Sequence, residues 1–420
     1  MHRSMVSMAA VAAMGLVAAG VGATAGPGAA AAAAAAGGRP GLGGVGGDAQ
    51  TAGGGVPQVT VVATGAGLGF TRPDDLARLG SDLFVAFQNG LGPMGQPAPD
   101  GITTSAVVGY GPGGVVRWVW RLAGHVDGLG SDPVHHRLLA TVNEDGNSAF
   151  YSITPGAPAG GQVARYGYNQ DPLPHGGGTD AVSVVGGNIL VSASSPSPAP
   201  ADVPAVYRVT LGDGVATLHP LFSDTAPAVV ANVGAGEGRT VSLALTDPDS
   251  NEVVPRWASR FGGDFVLDSQ GDQQQVYVSD AGGPRQQLSL LDLSTSINDT
   301  AWIGARGGTL YVTDTGADQV LAVRGLGAGQ AIVAATPSSA NVPGSGPNYL
   351  GVLDAYTGQV QPLPGTASVQ PQGLLYVGAS TSGAPGRRDG GWRSKPGDAG
   401  DGSGSGGTVA SSGIGGSGHG

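Results

Sequence analysis

Five aspartates recur in one local setting. Asp74, Asp127, Asp180, Asp247 and Asp299 each open a short apolar run, in Pro73-Asp-Asp-Leu76, Val126-Asp-Gly-Leu129, Thr179-Asp-Ala-Val182, Thr246-Asp-Pro-Asp249 and Asn298-Asp-Thr-Ala301. Their spacings are 53, 53, 67 and 52 residues, and Gln372 in Pro371-Gln-Gly-Leu374 stands in a sixth place. Two chemistries are open to such a set. Carboxylates brought within about 6 Å repel by roughly 3 kcal/mol at an effective dielectric of about 20, so a converging set raises its own pKa values or draws in a cation. A hard, oxygen-ligated ion such as Ca²⁺ suits Asp, Asn and Glu donors. The other reading is structural: an Asp at a strand start caps its own turn, and a repeat protein copies that cap into every unit.

The elements that would position these residues are strands. The unit at 125–168 shows the pattern best, with four short apolar or alternating runs separated by Gly, Pro, Asp and Asn, as an antiparallel meander requires. Such runs continue from Pro57 to Gly378 and number twenty-four, which divides into six sheets of four. No long helix-period segment interrupts them. A closed ring of four-stranded blades hides nearly every sheet edge, so the expected fold is an all-β, six-bladed propeller. The run at 58–63 is expected to join those at 349–354, 359–363 and 372–377 in a closing blade. Seven blades is the alternative, because the run at 330–335 can open a blade as well as close one.

Composition narrows the function. The 420 residues carry 19 basic and 30 acidic side chains, a formal charge of −11, with no basic cluster between residues 57 and 378. That removes the electrostatic footprint of a nucleic-acid binder and favours cations or neutral ligands. The absence of cysteine excludes disulfides, thiol catalysis and thiolate metal sites.

The ends read differently. Residues 1–25 combine Arg3, an apolar run and Ala23-Thr-Ala25 as a small-x-small cleavage signal, which predicts a secretory leader cut after Ala25 and an extracellular protein without stable membrane insertion. Residues 26–56 are an Ala/Gly-rich linker, too short in any one run to hold a helix in water. Residues 379–420, rich in Gly and Ser, have the composition of a disordered tail. A monomer is expected.

The blade pattern resembles the NHL and SMP-30 (gluconolactonase-like) six-bladed propellers, most closely at Leu310-Tyr-Val-Thr-Asp-Thr-Gly-Ala-Asp-Gln-Val320. The resemblance implies that each first strand lines a central channel and begins at the face where ligands bind. On that basis the five aspartates ring one mouth, joined by the second-strand ends Asn89, Asn143, Glu144, Gln270 and Asp314. His125 and His175 then lie on loops of the same face. In the lactonase-like members a divalent ion over the channel polarises an ester carbonyl. Here Asn89, Asn143 and Asp299 would be its ligands and His125 or His175 a general base. The first blade opens Pro73-Asp-Asp where that group has a Glu-Gly-Pro type of start.

Three other features carry less. Gly90-Leu-Gly-Pro-Met-Gly95 matches GxGxxG, but Pro93 forbids the helix a dinucleotide site needs. Trp118 and Trp120 alternate on an outer strand and read as packing between blades. The acidic stretch at 243–255, with Asp247, Asp249, Asn251 and Glu252, reads as a solvated loop or an ion-wrapping one. Two functions follow: an exported module binding a small ligand or divalent cation at an Asp-rich mouth, or a metal-assisted lactonase or esterase.

Overall fold

The computed structural model describes residues 56–171, 173–194, 201–338 and 346–379. The leader, almost all of the linker and almost all of the tail therefore lie outside the described residues. Within them the chain forms β-strands joined by turns, with only three-residue 3₁₀ segments besides.

Blade 1 runs Pro73–Leu79, Asp82–Phe87, Thr104–Tyr110 and Val116–Ala123 from the axis outward. Blade 2 is Val126–Asp132, Arg137–Val142, Ala149–Ile153 and Val163–Tyr168. Blade 3 is Gly178–Val185, Asn188–Ser194, Pro204–Gly212 and Val215–Ser223, and its outer strand pairs in parallel with that of blade 2 at Val215–Gly167 and Ala216–Tyr168. Blade 4 is Pro248–Val253, Phe265–Ser269, Gln274–Ser279 and Gln287–Asp292, widened by Pro227–Val230 and Thr240–Ser242. The inner strands touch one another in the order of the blades and the sixth touches the first, so the ring closes at six.

The last two blades exchange strands. From sequence, the hairpin at 309–324 belongs with the strand opening at Asp299. Instead, Ile297–Trp302 pairs with Ala331–Ala335, Tyr349–Leu353 and Val360–Pro362, while Thr309–Asp314 and Gln319–Arg324 cross to blade 6. There they lie between the innermost strand Pro371–Val377 and the outermost, N-terminal strand Gln58–Thr64. The N-terminal strand does close the ring, in one blade with Pro371–Val377 as expected, but with Thr309–Asp314 and Gln319–Arg324 in place of the strands at 349–354 and 359–363. A hydroxyl clip accounts for the choice. In blade 2, Thr141 Oγ1 accepts from Gly128 N–H at 2.9 Å and donates to the Asp180 carbonyl of the next blade. Thr313 makes the same pair with Gly373 N–H, at 2.7 Å, and the Asp74 carbonyl, so it needs the glycine at 373 as its inner-strand neighbour.

Packing between blades supplies the core. Leu129, Leu138, Tyr151 and Ile153 of blade 2 meet Phe84, Trp120 and Leu122 of blade 1, and the other seams are filled alike. Each fully buried aliphatic or Phe side chain contributes about 1.5–3 kcal/mol. Trp118 and Trp120 stack at 5.6 Å and 9°, with Trp120 inside this seam, in accord with a packing role. The stretch at 243–255 is not a loop throughout: it holds the inner strand of blade 4, starting at Pro248. Charge is tolerated there because an inner strand faces a polar channel. The strand read from sequence at 241–247 shrinks to Thr240–Ser242, an addition beyond the outer edge of that blade.

Candidate functional site

Inner-strand register is interrupted near the start of every blade: between Pro73 and Leu76, Val126 and Leu129, Thr179 and Val182, Pro248 and Asn251, Ile297 and Asp299, and where Pro371–Val377 meets Val312 and Asp314. A bulge leaves residues off the ladder and re-aims them. Six times over, these residues meet around the axis. Asp74, Asp127, Asp180, Asp249, Asn298 and Gln372 form one tier, and Asp75, Gly128, Ala181, Ser250, Asp299 and Gly373 the next, around a cavity of about 30 Å³. That is room for about two water molecules.

The ring residues are held through their backbones. Hydroxyls on the second strands of blades 2, 3 and 6, from Thr141, Ser192 and Thr313, donate to the carbonyls of Asp180, Asp249 and Asp74 in the following blade. Two positions in the second tier admit only glycine. A Cβ on Gly128 would stand 2.6 Å from Ala181 Cα, and one on Gly373 would stand 2.4 Å from the Asp74 carbonyl oxygen.

The acids of the two tiers do different work. Asp75 accepts from its neighbour Leu76 N–H and from Leu129 N–H in blade 2, both at 2.6 Å. Asp299 accepts from Thr300 N–H at 2.7 Å, from Ser250 Oγ at 2.9 Å and from Leu374 N–H of blade 6 at 2.6 Å. Both staple one blade to the next. In the first tier, Asp249 accepts from Asn298 Nδ2 at 3.1 Å and Asp127 from Gln88 Nε2 at 3.3 Å. The second oxygen of Asp127 is buried without a partner.

Beside Asp127 stand His125 and Glu144. Ligand atoms of the three residues all lie within 4.8 Å of one another. His125 Nδ1 is 3.3 Å from Asp127 Oδ1, yet it makes no hydrogen bond and is fully buried. Burial, helped by the Arg72 charge, lowers the His125 pKa to about 4, so the imidazole is neutral at pH 7 with a lone pair to offer. Asp127 is held well above the usual carboxylate range by burial and then by Glu144, Asp180 and Asp74. Burial likewise leads for Glu144, Asp180, Asp249 and Asp74, each raised further by its acidic neighbours.

The other residues singled out from sequence lie elsewhere or are engaged. Asn89 Oδ1 accepts from Thr71 N–H and its Nδ2 donates to the Thr104 carbonyl; Asn143 Oδ1 accepts from His125 N–H and its Nδ2 donates to the Asn147 carbonyl. These amides tie their own loops, at φ of 56° and 67°. His175 Nε2 donates to the Gly178 carbonyl at 2.6 Å and Nδ1 accepts from Tyr207 Oη at 2.7 Å, which uses both nitrogens. Asp314 accepts from Ala317 and Gln370 N–H, closing the turn at the end of its strand. Gln270 donates to Thr336 Oγ1 at 3.2 Å, and its N–H bonds the Asp247 carbonyl. Asp247 sits two residues ahead of the ring, whose member in blade 4 is Asp249. In blade 5 the member is Asn298, with Asp299 one tier further in. A signal for Asp249 was present: Pro precedes the ring residue at Pro73, Pro371 and also Pro248, where a strand's first position tolerates it.

No protein-family model matches the chain, and no curated protein does. Similar solved structures include a protein of unknown function from Bacteroides caccae, at 10% identity over 73% of this chain and 86% of that one, with a TM-score of 0.39. A periplasmic gluconolactonase from Pseudomonas aeruginosa is similar at 13% identity over 73% and 88%, with a TM-score of 0.38. A luciferin-regenerating enzyme is similar at 13% identity over 64% and 96%, with a TM-score of 0.32. The propeller assignment stands on the closed order of the inner strands.

Proposed function

We propose that the channel mouth binds one divalent cation through His125, Asp127 and Glu144, in a protein that works outside the cytoplasm. The observation that carries the reading is the pair of buried, unpartnered atoms His125 Nδ1 and Asp127 Oδ2 within a group of three metal-competent side chains. Leaving buried polar atoms unmatched costs about 1–3 kcal/mol each, and a cation would satisfy both while relieving the repulsion among the ring acids. One imidazole with two carboxylates favours Zn²⁺ or Mn²⁺ over the Ca²⁺ that an all-oxygen set would prefer. Export is supported by the basic residue, apolar run and small-x-small pattern within residues 1–25.

Elemental analysis of protein purified without added metal tests the site, together with calorimetric titration of chelator-treated protein with Zn²⁺, Mn²⁺ and Ca²⁺. Stoichiometric binding abolished by Asp127→Asn is the expected result. Binding that survives this substitution places the ion elsewhere.

A second reading, hydrolysis of a lactone or small ester, is favoured by one observation: three protein ligands leave coordination positions open, as catalytic sites do. A bound divalent ion would supply Lewis acidity toward a carbonyl oxygen. The protein's own part would be Asp74, Asp180 and Asp249, whose carboxyls burial and acidic neighbours bias toward the protonated form, the form that delivers a proton to a leaving alkoxide. Turnover of a lactone panel, lost with chelator and restored by metal, distinguishes this from binding alone.

A further inference from the structure

The largest of the cavities described lies far from the mouth. Because inner strands begin at the ring, Ser81 in the first hairpin, Tyr110 at the end of its strand and Arg324 at the end of its own all stand at the opposite end of the propeller. They line a space of about 380 Å³ at the closure seam, between blade 1 and the N-terminal strand of blade 6. That volume is in the range of small-molecule sites. Val62, Ala63 and Leu83 give it an apolar wall.

Two polar groups at this cavity lack a matching partner. The Tyr110 hydroxyl is buried, on a residue 4% exposed, and has no hydrogen bond. Arg324 makes, among the described residues, one long bond of 3.4 Å to Thr60 Oγ1. Asp82, next in sequence to the lining residue Ser81, is already paired with Arg117 at 2.9 Å and receives Ser81 Oγ at 3.0 Å, and no acid among the described residues lines the cavity. A phenol donor, a guanidinium and an apolar wall together describe a receptor for an anionic head on an apolar body. We propose that this cavity binds a small amphipathic carboxylate, with its head at Tyr110 and Arg324 and its body against Val62, Ala63 and Leu83. The phenol stays a neutral donor throughout the physiological range, since burial raises its pKa to about 12. This site is independent of the cation site, whose acids would repel such a ligand.

The test is calorimetry and thermal denaturation of the full chain with hexanoate and octanoate, using hexanol and hexyltrimethylammonium as neutral and cationic controls. The carboxylates should bind and raise the melting temperature, with the controls inert and chelator without effect. Tyr110→Phe should weaken carboxylate binding roughly tenfold or more while raising the melting temperature of the ligand-free protein, because it removes an unsatisfied hydroxyl. Arg324→Gln, at an exposed side chain, should abolish the preference for carboxylate over alcohol. The proposal is overturned if carboxylates bind no better than hexanol, if both variants bind them as the wild type does, or if Tyr110→Phe leaves the ligand-free protein no more stable.

Discussion

Asp268 offers a direct measure of what buried acids cost this fold. It is 1% exposed at the end of the second strand of blade 4, accepting from Gln275 Nε2 at 2.8 Å and Thr300 Oγ1 at 3.0 Å. Burial outweighs both bonds and raises its pKa to about 7. A carboxyl with a raised folded-state pKa binds its proton more tightly folded than unfolded, so its contribution is full below pH 4 and is lost as the pH rises through 7. A shift of about three units corresponds to about 4 kcal/mol. Asp268→Asn removes the titration and can keep both contacts, its carbonyl accepting from Gln275 and its amide donating to the Thr300 hydroxyl. Urea denaturation in chelator at pH 4, 5.5, 7 and 8 reads the effect. The variant should match wild type within about 1 kcal/mol at pH 4 and exceed it by up to about 4 kcal/mol at pH 8. Parallel pH profiles for the two proteins would refute the reasoning, because they would mean the charge is already accommodated where it lies.

The ring permits three further tests. Metal-free protein should lose stability as the pH rises above the ordinary carboxylate range, because the folded-state pKa values of the ring acids are raised, and a cation at a hundred times its dissociation constant should restore about 2.7 kcal/mol at pH 7.5 in wild type but not in Asp127→Asn, as read by denaturant melts. Asp299→Ala strips the acceptor from Thr300 and Leu374 N–H. At about 1–3 kcal/mol per orphaned group it should lower stability by about 2–6 kcal/mol and speed hydrogen exchange at the seam of blades 5 and 6. Gly128→Ala sets a methyl 2.6 Å from Ala181 Cα and should cost about 3 kcal/mol or more, measured by the same melts, although it adds only one carbon.

The propeller was legible because its strands are short, alternate with period two and are punctuated by Gly, Pro and Asp. Which strands share the last two blades was not, since two interleavings satisfy the same pattern and a contact 60 residues apart, Thr313 to Gly373, separates them. Asp74, Asp127, Asp180 and Gln372 could be aligned on the ring from spacing alone. Blade 4 escaped because the extra strands at Pro227–Val230 and Thr240–Ser242 lengthen its unit, and sliding by two residues from Asp249 to Asp247 leaves the facing of every side chain unchanged. Blade 5 slid by one, from Asn298 to Asp299. The resemblance placed Glu144, His125 and Asp127 at one mouth, but their approach to within one ion's reach depends on where the second strand of blade 2 ends against the first, which composition does not encode.

One asymmetry within the bulges separates stability from chemistry. The second-tier acids Asp75 and Asp299 find N–H groups of the next blade at 2.6 Å, and these backbone dipoles offset part of the burial that still raises both pKa values. Three of the four first-tier acids, Asp74, Asp180 and Asp249, have spent their backbone carbonyls on the clips of Thr313, Thr141 and Ser192, and all four line a space of about 30 Å³. No basic side chain lines that space. An arrangement held in place by three hydroxyl clips and two obligatory glycines, yet left without a compensating charge, is stable near neutral pH only when protons or a cation occupy it. The buried imidazole of His125 beside Asp127, its pKa lowered to about 4, adds a neutral lone pair that suits the cation proposed there.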